Sequence, residues 1–235
     1  PENTLPAFER ALADGANALE LDIHRTADGH FVVAHDPDGL RTAGTAERIR
    51  ELSLDRVRRW RLEHRGRTAT VPTLEEVLRA FPGVPTSIDL KPDAPQAVPE
   101  LLELLDRCDA AATATLASFS TRVVNRIRAL GYPGPTALTR PEVALLRFLP
   151  AFVAQRHLRG HAAHVPLRSG PVRLDVRSFL VRCRRLGLRA DFWVVNDPQQ
   201  AQRLFEAGAT GIMTDDPASL APAFRQRAAV PARID

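Results

Sequence analysis

Short apolar runs and amphipathic stretches alternate along most of this chain. The runs predict β-strands, because they are brief, rich in β-branched and apolar side chains, and bounded by Gly, Pro, Asp or Asn. They occupy residues 18–23, 31–34, 86–90, 113–119, 135–138, 161–165, 189–195 and 210–213. The amphipathic stretches predict helices over residues 5–14, 74–81, 97–108, 122–130, 141–148, 172–186 and 198–207. Strands that alternate with helices are typical of a parallel sheet with helical crossovers.

The order of these elements predicts an α/β fold of the TIM (β/α)8 barrel type. Barrels of this size usually form one domain, and no repeat or linker divides residues 1–235. If residues 18–34 form one ββ segment, seven barrel strands remain, and we expect the chain to lack the first strand of the barrel. Residues 36–71 form an arginine-rich excursion with a short helix near 54–60, and we expect it to act as an insertion or lid.

The charge balance argues against a nucleic-acid partner. The 32 Lys and Arg residues are nearly matched by 28 Asp and Glu residues, which leaves a formal net charge of +4 despite a pI near 10.0. Nucleic-acid-binding domains concentrate basic residues instead. No apolar run approaches the ~20 residues that span a bilayer, so we expect no stable membrane insertion. We predict a cytoplasmic location, with a removed signal peptide as the open alternative.

Glu20 and Asp22 lie two residues apart in the first predicted strand. Because strand side chains alternate between faces, both carboxylates project from the same face. Neighbouring carboxylates repel each other unless a cation or a shared proton relieves them. His35 follows the next predicted strand. Two interpretations stay open at this point: a metal-assisted active site, and a solvated strand end.

Lys91 is the only lysine of the chain, and it follows Asp89 by two residues. A lysine in a chain that otherwise uses arginine indicates a need for a compact ammonium charge, which a planar guanidinium replaces poorly. The alternative is that one lysine remains by chance. Asp89 adds a third carboxylate to the pair on the first strand. Phe119 and Trp193 also fall at predicted strand ends. In a barrel, the carboxyl ends of the strands carry the active site, so these side chains are expected to converge on one rim.

Short sequence elements occur in a fixed order from the first residue to residue 217. They are Pro1-Glu2-Asn3-Thr4, Ala7-Phe8, Gly15-Ala16, Glu20-Leu21-Asp22, Thr26-Ala27-Asp28-Gly29, Val32-Val33-Ala34-His35-Asp36, Pro72-Thr73-Leu74-Glu75-Glu76, Asp89-Leu90-Lys91, Trp193-Val194-Val195-Asn196 and Thr214-Asp215 with Pro217. Together they resemble the glycerophosphodiester phosphodiesterase family over essentially the whole chain. One such element is weak evidence, whereas the full set in order is specific.

The resemblance implies a TIM-barrel enzyme that hydrolyses a small-molecule glycerophosphodiester to glycerol 3-phosphate and an alcohol with a divalent cation. By position it implies metal ligands at Glu20, Asp22 and Asp89, a general acid/base at His35, a phosphate-stabilising cation at Lys91, and substrate-binding side chains at Phe119 and Trp193. Oxygen-only ligands suit Mg²⁺ or Ca²⁺. Such an ion polarises phosphoryl oxygens, and an imidazole moves protons near neutral pH.

Two departures from the family pattern change what we expect. The family places His-Arg-Gly at the end of the first strand, shortly before Pro-Glu-Asn-Thr, whereas this chain begins at Pro1. We therefore expect an N-terminally truncated domain that is impaired or inactive. The tripeptide His64-Arg65-Gly66 lies elsewhere, and we interpret it as a coincidence. Asp89 stands where the family usually has the longer Glu, which is expected to alter cation affinity and leave the fold unchanged.

Two alternative functions stay open. The first is a phosphodiesterase of the lysophospholipase D or sphingomyelinase D kind, which keeps the barrel and the chemistry but changes the substrate. The second is a non-catalytic barrel that binds phosphates or partners. The presence of all three carboxylates, His35 and Lys91 argues against the second.

Overall fold

The computed structural model describes residues 1–91 and 95–229, which belong to two compact units. The first unit contains Pro1–Ala13 and Asn17–Pro135, and the second contains Asp14–Ala16 and the chain from Thr136 onward. Within the described residues, no helix combines the length and apolar character that crossing a membrane requires. The cytoplasmic location and the single barrel domain over residues 1–235 stay predictions.

The first unit contains most of the predicted site. Its strands are β1 Leu19–Arg25, β2 Phe31–Val33, β3 Asp38–Gly39, β4 Thr45–Arg48, β5 Leu62–His64, β6 Arg67–Ala69, β7 Thr86–Leu90 and β8 Ala114–Ala117. Its α-helices are α1 Leu5–Ala13, α2 Leu40–Ala43, α3 Leu54–Val57, α4 Leu74–Ala80, α5 Val98–Arg107 and α6 Thr121–Ala129. Single 3-10 turns occur at Ile49–Glu51 and Pro95–Ala97.

A four-stranded sheet in the order β2-β1-β7-β8 supports the first unit. Strands β1, β7 and β8 are parallel, and β2 runs antiparallel to β1. The apolar side chains of the parallel strands are inaccessible to solvent, as Leu21, Ile88 and Leu116 illustrate at 0% exposure each. Parallel strands that are covered on both faces carry near-continuous apolar runs. This is why the sequence pattern identified them.

Helices α4 and α5 share one apolar core with the strands of this sheet. Thr73 begins α4 with a capping box, in which its side chain and that of Glu76 satisfy each other's backbone N–H groups. In α5, Val98, Leu101 and Leu105 recur at helical spacing and are each 0% exposed. The strand that carries Asp89, with Lys91 directly after it, is therefore backed by a packed apolar core, while its pairing with β1 sets the register.

The excursion over residues 36–71 forms short elements of its own. It contains the antiparallel pairs β3–β4 and β5–β6 together with α2 and α3. Its apolar residues pack with Val32 of β2 in a small core that comprises Ile49, Val57, Trp60, Leu62 and Val71. The helix predicted near 54–60 is present but shorter, at Leu54–Val57. The lid role of this insertion stays a prediction.

The tripeptide His64-Arg65-Gly66 makes the turn of the β5–β6 hairpin. His64 pairs with Arg67, so Arg65 and Gly66 are the two central residues of the loop. Both have positive φ angles, 49° and 73°, as a type I′ hairpin turn requires. The tripeptide therefore has a local structural role, in line with its interpretation as a coincidence.

The second unit repeats the strand–helix alternation. Its strands are β9 Ala162–Pro166, β10 Arg168–Ser169, β11 Val172–Arg173, β12 Arg189–Trp193 and β13 Gly211–Ile212. Its helices are α7 Arg140–Phe148, α8 Ala151–Ala154, α9 Arg177–Arg185, α10 Pro198–Ala207 and α11 Pro217–Ala229. Strands β9, β12 and β13 form a parallel sheet in the order β13-β12-β9.

Several elements of this unit differ from the sequence prediction, including the short helix α8, which was not predicted. The helix predicted over 172–186 begins only at Arg177, because residues 168–173 form the β10–β11 hairpin around Gly170 and Pro171. Residues 135–138 give an isolated bridge, Ala137 to Ala162, where a strand was expected. Helix α11 was not predicted, and it contains Pro222 in its interior, where proline is unusual.

Candidate active site

Asp22 and Asp89 are paired residues on the adjacent parallel strands β1 and β7. Neighbouring strands lie ~4.8 Å apart, so side chains at paired positions project from the same face at close range. Both residues are buried, at 6% and 7% exposure. Two carboxylates at this spacing repel each other, and burial removes most of the solvent that would screen them. The local arrangement therefore requires positive charge.

Lys91 supplies that charge between the two carboxylates. Its Nζ lies 2.5 Å from Asp22 Oδ1 and 2.8 Å from Asp89 Oδ2. Its backbone N–H donates to the carbonyl oxygen of Ile23 at 3.1 Å, which continues the contact between β1 and β7. Burial lowers the pKa of Lys91, but the charge of Asp89 and the hydrogen bond to Asp22 outweigh it, so the pKa lies above its usual value. The side chain is an ammonium at neutral pH.

The two other carboxylate oxygens of this cluster differ in their partners. Asp22 Oδ2 accepts a hydrogen bond from Asn3 Nδ2 at 3.2 Å. Asp89 Oδ1 is buried and has no hydrogen-bond partner among residues 1–91 and 95–229. A buried oxygen without a partner is costly, and two carboxylates with one ammonium keep an excess negative charge. Both features fit a divalent cation that prefers oxygen ligands.

Glu20 lies at an earlier position along β1 than this pair. It is an exposed residue near the start of β1 and pairs with Ser87, two positions before Asp22. A step of two residues along a strand covers ~6.6 Å. Glu20 and Asp22 can therefore share a face of the sheet while their carboxylates lie at different positions along the strand. Within the described residues, no three His, Cys, Asp or Glu side chains are arranged to hold one metal ion. The ligand role of Glu20 stays a prediction.

His35 follows β2 and is tied through the backbone to the strand of Asp22. The N–H of Ala34 donates to the carbonyl oxygen of Asp22 at 3.0 Å. The carbonyl oxygen of His35 accepts from Nε2 of the buried His24 at 3.3 Å. The imidazole is 57% exposed, and its Nδ1 lies 2.8 Å from Asp36 Oδ1. The ring is therefore accessible for proton transfer while its backbone is held.

Asp36, Arg41 and Glu2 form a row of charges next to His35. Arg41 Nε donates to Asp36 Oδ2 at 2.6 Å, and its two Nη atoms donate to the two carboxylate oxygens of Glu2 at 2.8 and 2.5 Å. Burial opposes ionisation of Asp36, but the hydrogen bonds from His35 and Arg41 outweigh it, so its pKa lies below its usual value. The hydrogen bonds from Arg41 likewise lower the pKa of Glu2. Both acids are ionised at neutral pH.

Phe119 lies beside Lys91 in the segment that follows β8. The centroid of its ring is 6.0 Å from Lys91 Nζ, and the side chain is 48% exposed. Ser118 Oγ donates to the carbonyl oxygen of Leu90 at 2.6 Å, which ties this segment to the end of β7. An exposed aromatic surface next to an ammonium group offers an apolar wall to a ligand. The substrate-binding role of Phe119 stays a prediction.

Trp193 belongs to the second unit, where it is the half-buried last residue of β12. Its predicted contact with substrate stays a prediction. The same strand carries Asp191, whose Oδ2 lies 3.4 Å from His164 Nε2 and whose Oδ1 accepts from Thr210 Oγ1 at 2.8 Å. Burial raises the pKa of Asp191, but these partners and Arg189 lower it more, so the net shift is downward. Asp191 is therefore a buried, ionised carboxylate in the second unit.

Sequence reasoning missed the contacts of Asn3, His24 and Arg41 with the site. Asn3 appears in the sequence only as part of a family element, with nothing to show that it donates to Asp22. The one signal for His24 is its position two residues after Asp22. Arg41 gives no signal in a chain with 32 basic residues, because only the fold brings it between Glu2 and Asp36.

Comparisons with known proteins agree on one family. The sequence model of the Glycerophosphoryl diester phosphodiesterase family matches residues 1–219. YhdW of Bacillus subtilis (strain 168) is 30% identical over 227 residues, which cover 92% of this chain and 90% of YhdW. The human protein "Lysophospholipase D GDPD1" is 26% identical over 252 residues, covering 93% of this chain and 80% of that protein.

A solved structure is similar over nearly the whole chain. It is a phosphodiesterase from Oleispira antarctica in complex with the product sn-glycerol-3-phosphate, with a TM-score of 0.74, 19% identity, and coverage of 96% of this chain and 92% of that one. A likeness at this identity bears on the fold alone. Together with the family match, it confirms the predicted α/β TIM-barrel fold class.

Proposed function

Because this chain belongs to the glycerophosphoryl diester phosphodiesterase family, we propose that the Asp22–Lys91–Asp89 cluster is the centre at which it hydrolyses its substrate. The chain is a phosphodiesterase, and the reaction is the hydrolysis of a glycerophosphodiester to glycerol 3-phosphate and an alcohol. The observation that carries the site assignment is the buried Asp89 oxygen, which has no hydrogen-bond partner within the described part of the chain and lies next to a lysine shared by two carboxylates.

The charge of the cluster supports a divalent cation as cofactor. Asp22 and Asp89 would hold it, with Glu20 as the third ligand that the family resemblance implies. Oxygen ligands favour Mg²⁺ or Ca²⁺ over softer ions. When bound, such an ion would polarise the phosphoryl oxygens and lower the pKa of a nucleophilic hydroxyl.

The side chains of the chain itself then have separate tasks. Lys91 is held between two acids, so its ammonium is fixed before the reaction and can stabilise the phosphoryl oxygens as negative charge develops. The exposed imidazole of His35 moves a proton to or from the reacting oxygen, which is a common task of histidine in catalysis. Phe119 would offer an apolar surface to the alcohol part of the substrate, next to the ammonium.

Release of glycerol 3-phosphate from glycerophosphocholine, in EDTA and then with added Mg²⁺ or Ca²⁺, tests the proposal. Asp89→Asn should lower kcat by about 10²–10³-fold, since an interaction worth several kcal/mol at the transition state is lost. Asp191→Asn is the matched control, because Asp191 is another buried, paired aspartate in the other unit. Equal turnover in the two variants would remove Asp89 from the site, and full activity in EDTA would remove the cation.

The same assay separates the alternative substrates. Lysophosphatidylcholine added in place of glycerophosphocholine should give much slower turnover. A faster reaction on the lysophospholipid would replace the glycerophosphodiester by a lysophospholipase D substrate while leaving the site assignment unchanged. Absence of turnover on both substrates in the full-length protein would favour the non-catalytic barrel.

A further inference from the structure

The row of charges beside His35 joins three separate parts of the chain. Glu2 lies at the first residues, Arg41 lies on the insertion in α2, and Asp36 follows His35 after β2. Each polar atom in this row has one assigned partner. The Nη atoms of Arg41 bind Glu2, its Nε binds Asp36 Oδ2, and Asp36 Oδ1 binds His35 Nδ1. The row therefore fixes the orientation of every group between Glu2 and the imidazole.

Stability alone does not explain this arrangement. The side chains of Arg41 and Glu2 are 52% and 48% exposed, and exposed ion pairs contribute little to folding because solvent and salt screen them. A bidentate contact of arginine with a carboxylate does impose geometry, since two parallel N–H groups bind two oxygens. The Nε–H of Arg41 then donates its hydrogen bond to Asp36 from a fixed direction. The arrangement is suited to orienting a neighbour.

The neighbour is the imidazole of His35, and the orientation determines which nitrogen carries the proton. An ionised carboxylate only accepts hydrogen bonds, so His35 Nδ1 must be the protonated nitrogen in its contact with Asp36. In the neutral ring, Nε2 is then the acceptor. His24 fixes the other end of the residue by donating to the His35 carbonyl oxygen. Ring and backbone are both constrained.

We propose that Arg41 is a positioning residue that acts through Asp36 to hold the imidazole of His35 in the Nδ1–H form, with Glu2 as its anchor. The inference rests on the proposed acid/base role of His35 and extends it. The insertion over residues 36–71 then contributes to catalysis through one arginine, in addition to any covering of the site. Outer groups that orient a histidine in this way typically change activity by about 10–100-fold when they are removed.

The experiment compares Arg41→Gln and Arg41→Lys with Arg50→Gln as the matched control. Arg50 lies in the same insertion, is 56% exposed, and pairs only at 3.4 Å with its neighbour Glu51. Arg41→Gln should lower kcat for glycerophosphocholine about 10–100-fold and leave KM within a few-fold. Arg41→Lys should recover part of kcat at most, because an ammonium cannot make the forked contact. Arg50→Gln should match the unaltered enzyme.

The tautomer of His35 is a second measurement that does not depend on turnover. Ring ¹⁵N chemical shifts at about pH 8, where imidazole is neutral, should show the Nδ1–H form in the unaltered protein. His35→Asn assigns the signal among the 7 histidines. Arg41→Gln should shift it towards a mixture of tautomers, and Arg50→Gln should not.

The measurements of kcat and of the ring shifts distinguish a failure of the positioning role of Arg41 from a failure of the proposed function. If the protein turns over substrate but Arg41→Gln changes neither kcat nor the His35 shifts, the positioning role is wrong and the proposed function stands. If the full-length protein has no turnover, the proposed function fails, and the ring shifts alone still decide whether Arg41 orients His35. Loss of kcat in Arg41→Gln with unchanged ring shifts would also overturn the inference.

Discussion

Replacing Lys91 by methionine is the most direct perturbation of the charged cluster. The side chain keeps its approximate length, but the ammonium that lies 2.5 Å from Asp22 and 2.8 Å from Asp89 is lost. In EDTA the variant must either bury two adjacent negative charges or take up a proton. We expect a substantial loss of folding free energy that depends on pH.

The magnitude follows from two independent considerations. Removing one partner of a buried ion pair typically costs about 3–5 kcal/mol. Protonating an ordinary aspartate of pKa about 3.9 at pH 7 costs about 4 kcal/mol, at 1.36 kcal/mol per pH unit. Because the variant can take up a proton in place of burying both charges, this cost is an upper limit on the loss of folding free energy. We therefore expect a loss of about 3–4 kcal/mol at pH 7, which shrinks to below about 1 kcal/mol near pH 4, where protonation costs almost nothing.

Urea unfolding at both pH values, in EDTA and with Mg²⁺, measures this loss. Arg79→Met is the matched control, because Arg79 makes an exposed pair with Glu75 on α4, and exposed pairs contribute little to folding stability. Added Mg²⁺ should restore part of the stability of the Lys91 variant by replacing the missing charge. An Lys91→Met protein as stable as the Arg79→Met control at pH 7 in EDTA would refute the electrostatic account of the cluster.

Three further predictions follow from the described residues. His35→Ala should lower kcat by about 10²–10⁴-fold with little change in thermal stability, and a loss below tenfold in a glycerophosphocholine assay would contradict an acid/base role. Glu20→Ala should weaken the dependence of turnover on the divalent cation while stability stays close to that of the unaltered protein, since Glu20 is exposed; an unchanged metal titration would exclude it as a ligand. The folded-state pKa of Asp191 is depressed, so its contribution to stability is present above the unfolded pKa of about 3.9 and is lost as the pH falls through the folded value. Acid unfolding monitored by circular dichroism should therefore show a weaker pH dependence below about pH 4 in Asp191→Asn than in the unaltered protein. Identical acid transitions of the two proteins would contradict the depressed pKa of Asp191.

The sequence predicts best the helices and strands whose first and last residues include recognisable capping or terminating residues. Helix α10 is observed over Pro198–Ala207 as predicted, because Asp197 caps it, Pro198 starts it and Gly208 ends it in the left-handed conformation. Strand β7 is likewise observed over Thr86–Leu90. The start of α9 was wrong, because the apolar spacing over 172–186 did not reveal that the first residues pair in a hairpin.

The chemistry of the site was predictable in part. Alternation along β1 gave the shared face of Glu20 and Asp22, and the rarity of lysine singled out Lys91. The pairing of Asp22 with Asp89 depends on the register between strands more than 60 residues apart, which no local pattern encodes. The same holds for Arg41, whose partners Glu2 and Asp36 are brought together only by the insertion.

The single lysine has a practical consequence for chemical labelling. Lys91 carries the only primary amine among the side chains of this chain, and its side chain is 14% exposed between two acids. An acylating or aldehyde reagent that modifies a lysine side chain of this protein can therefore modify only Lys91. Residual activity should then decrease linearly with the number of modified side-chain amines per molecule. It should reach its minimum at one label per molecule.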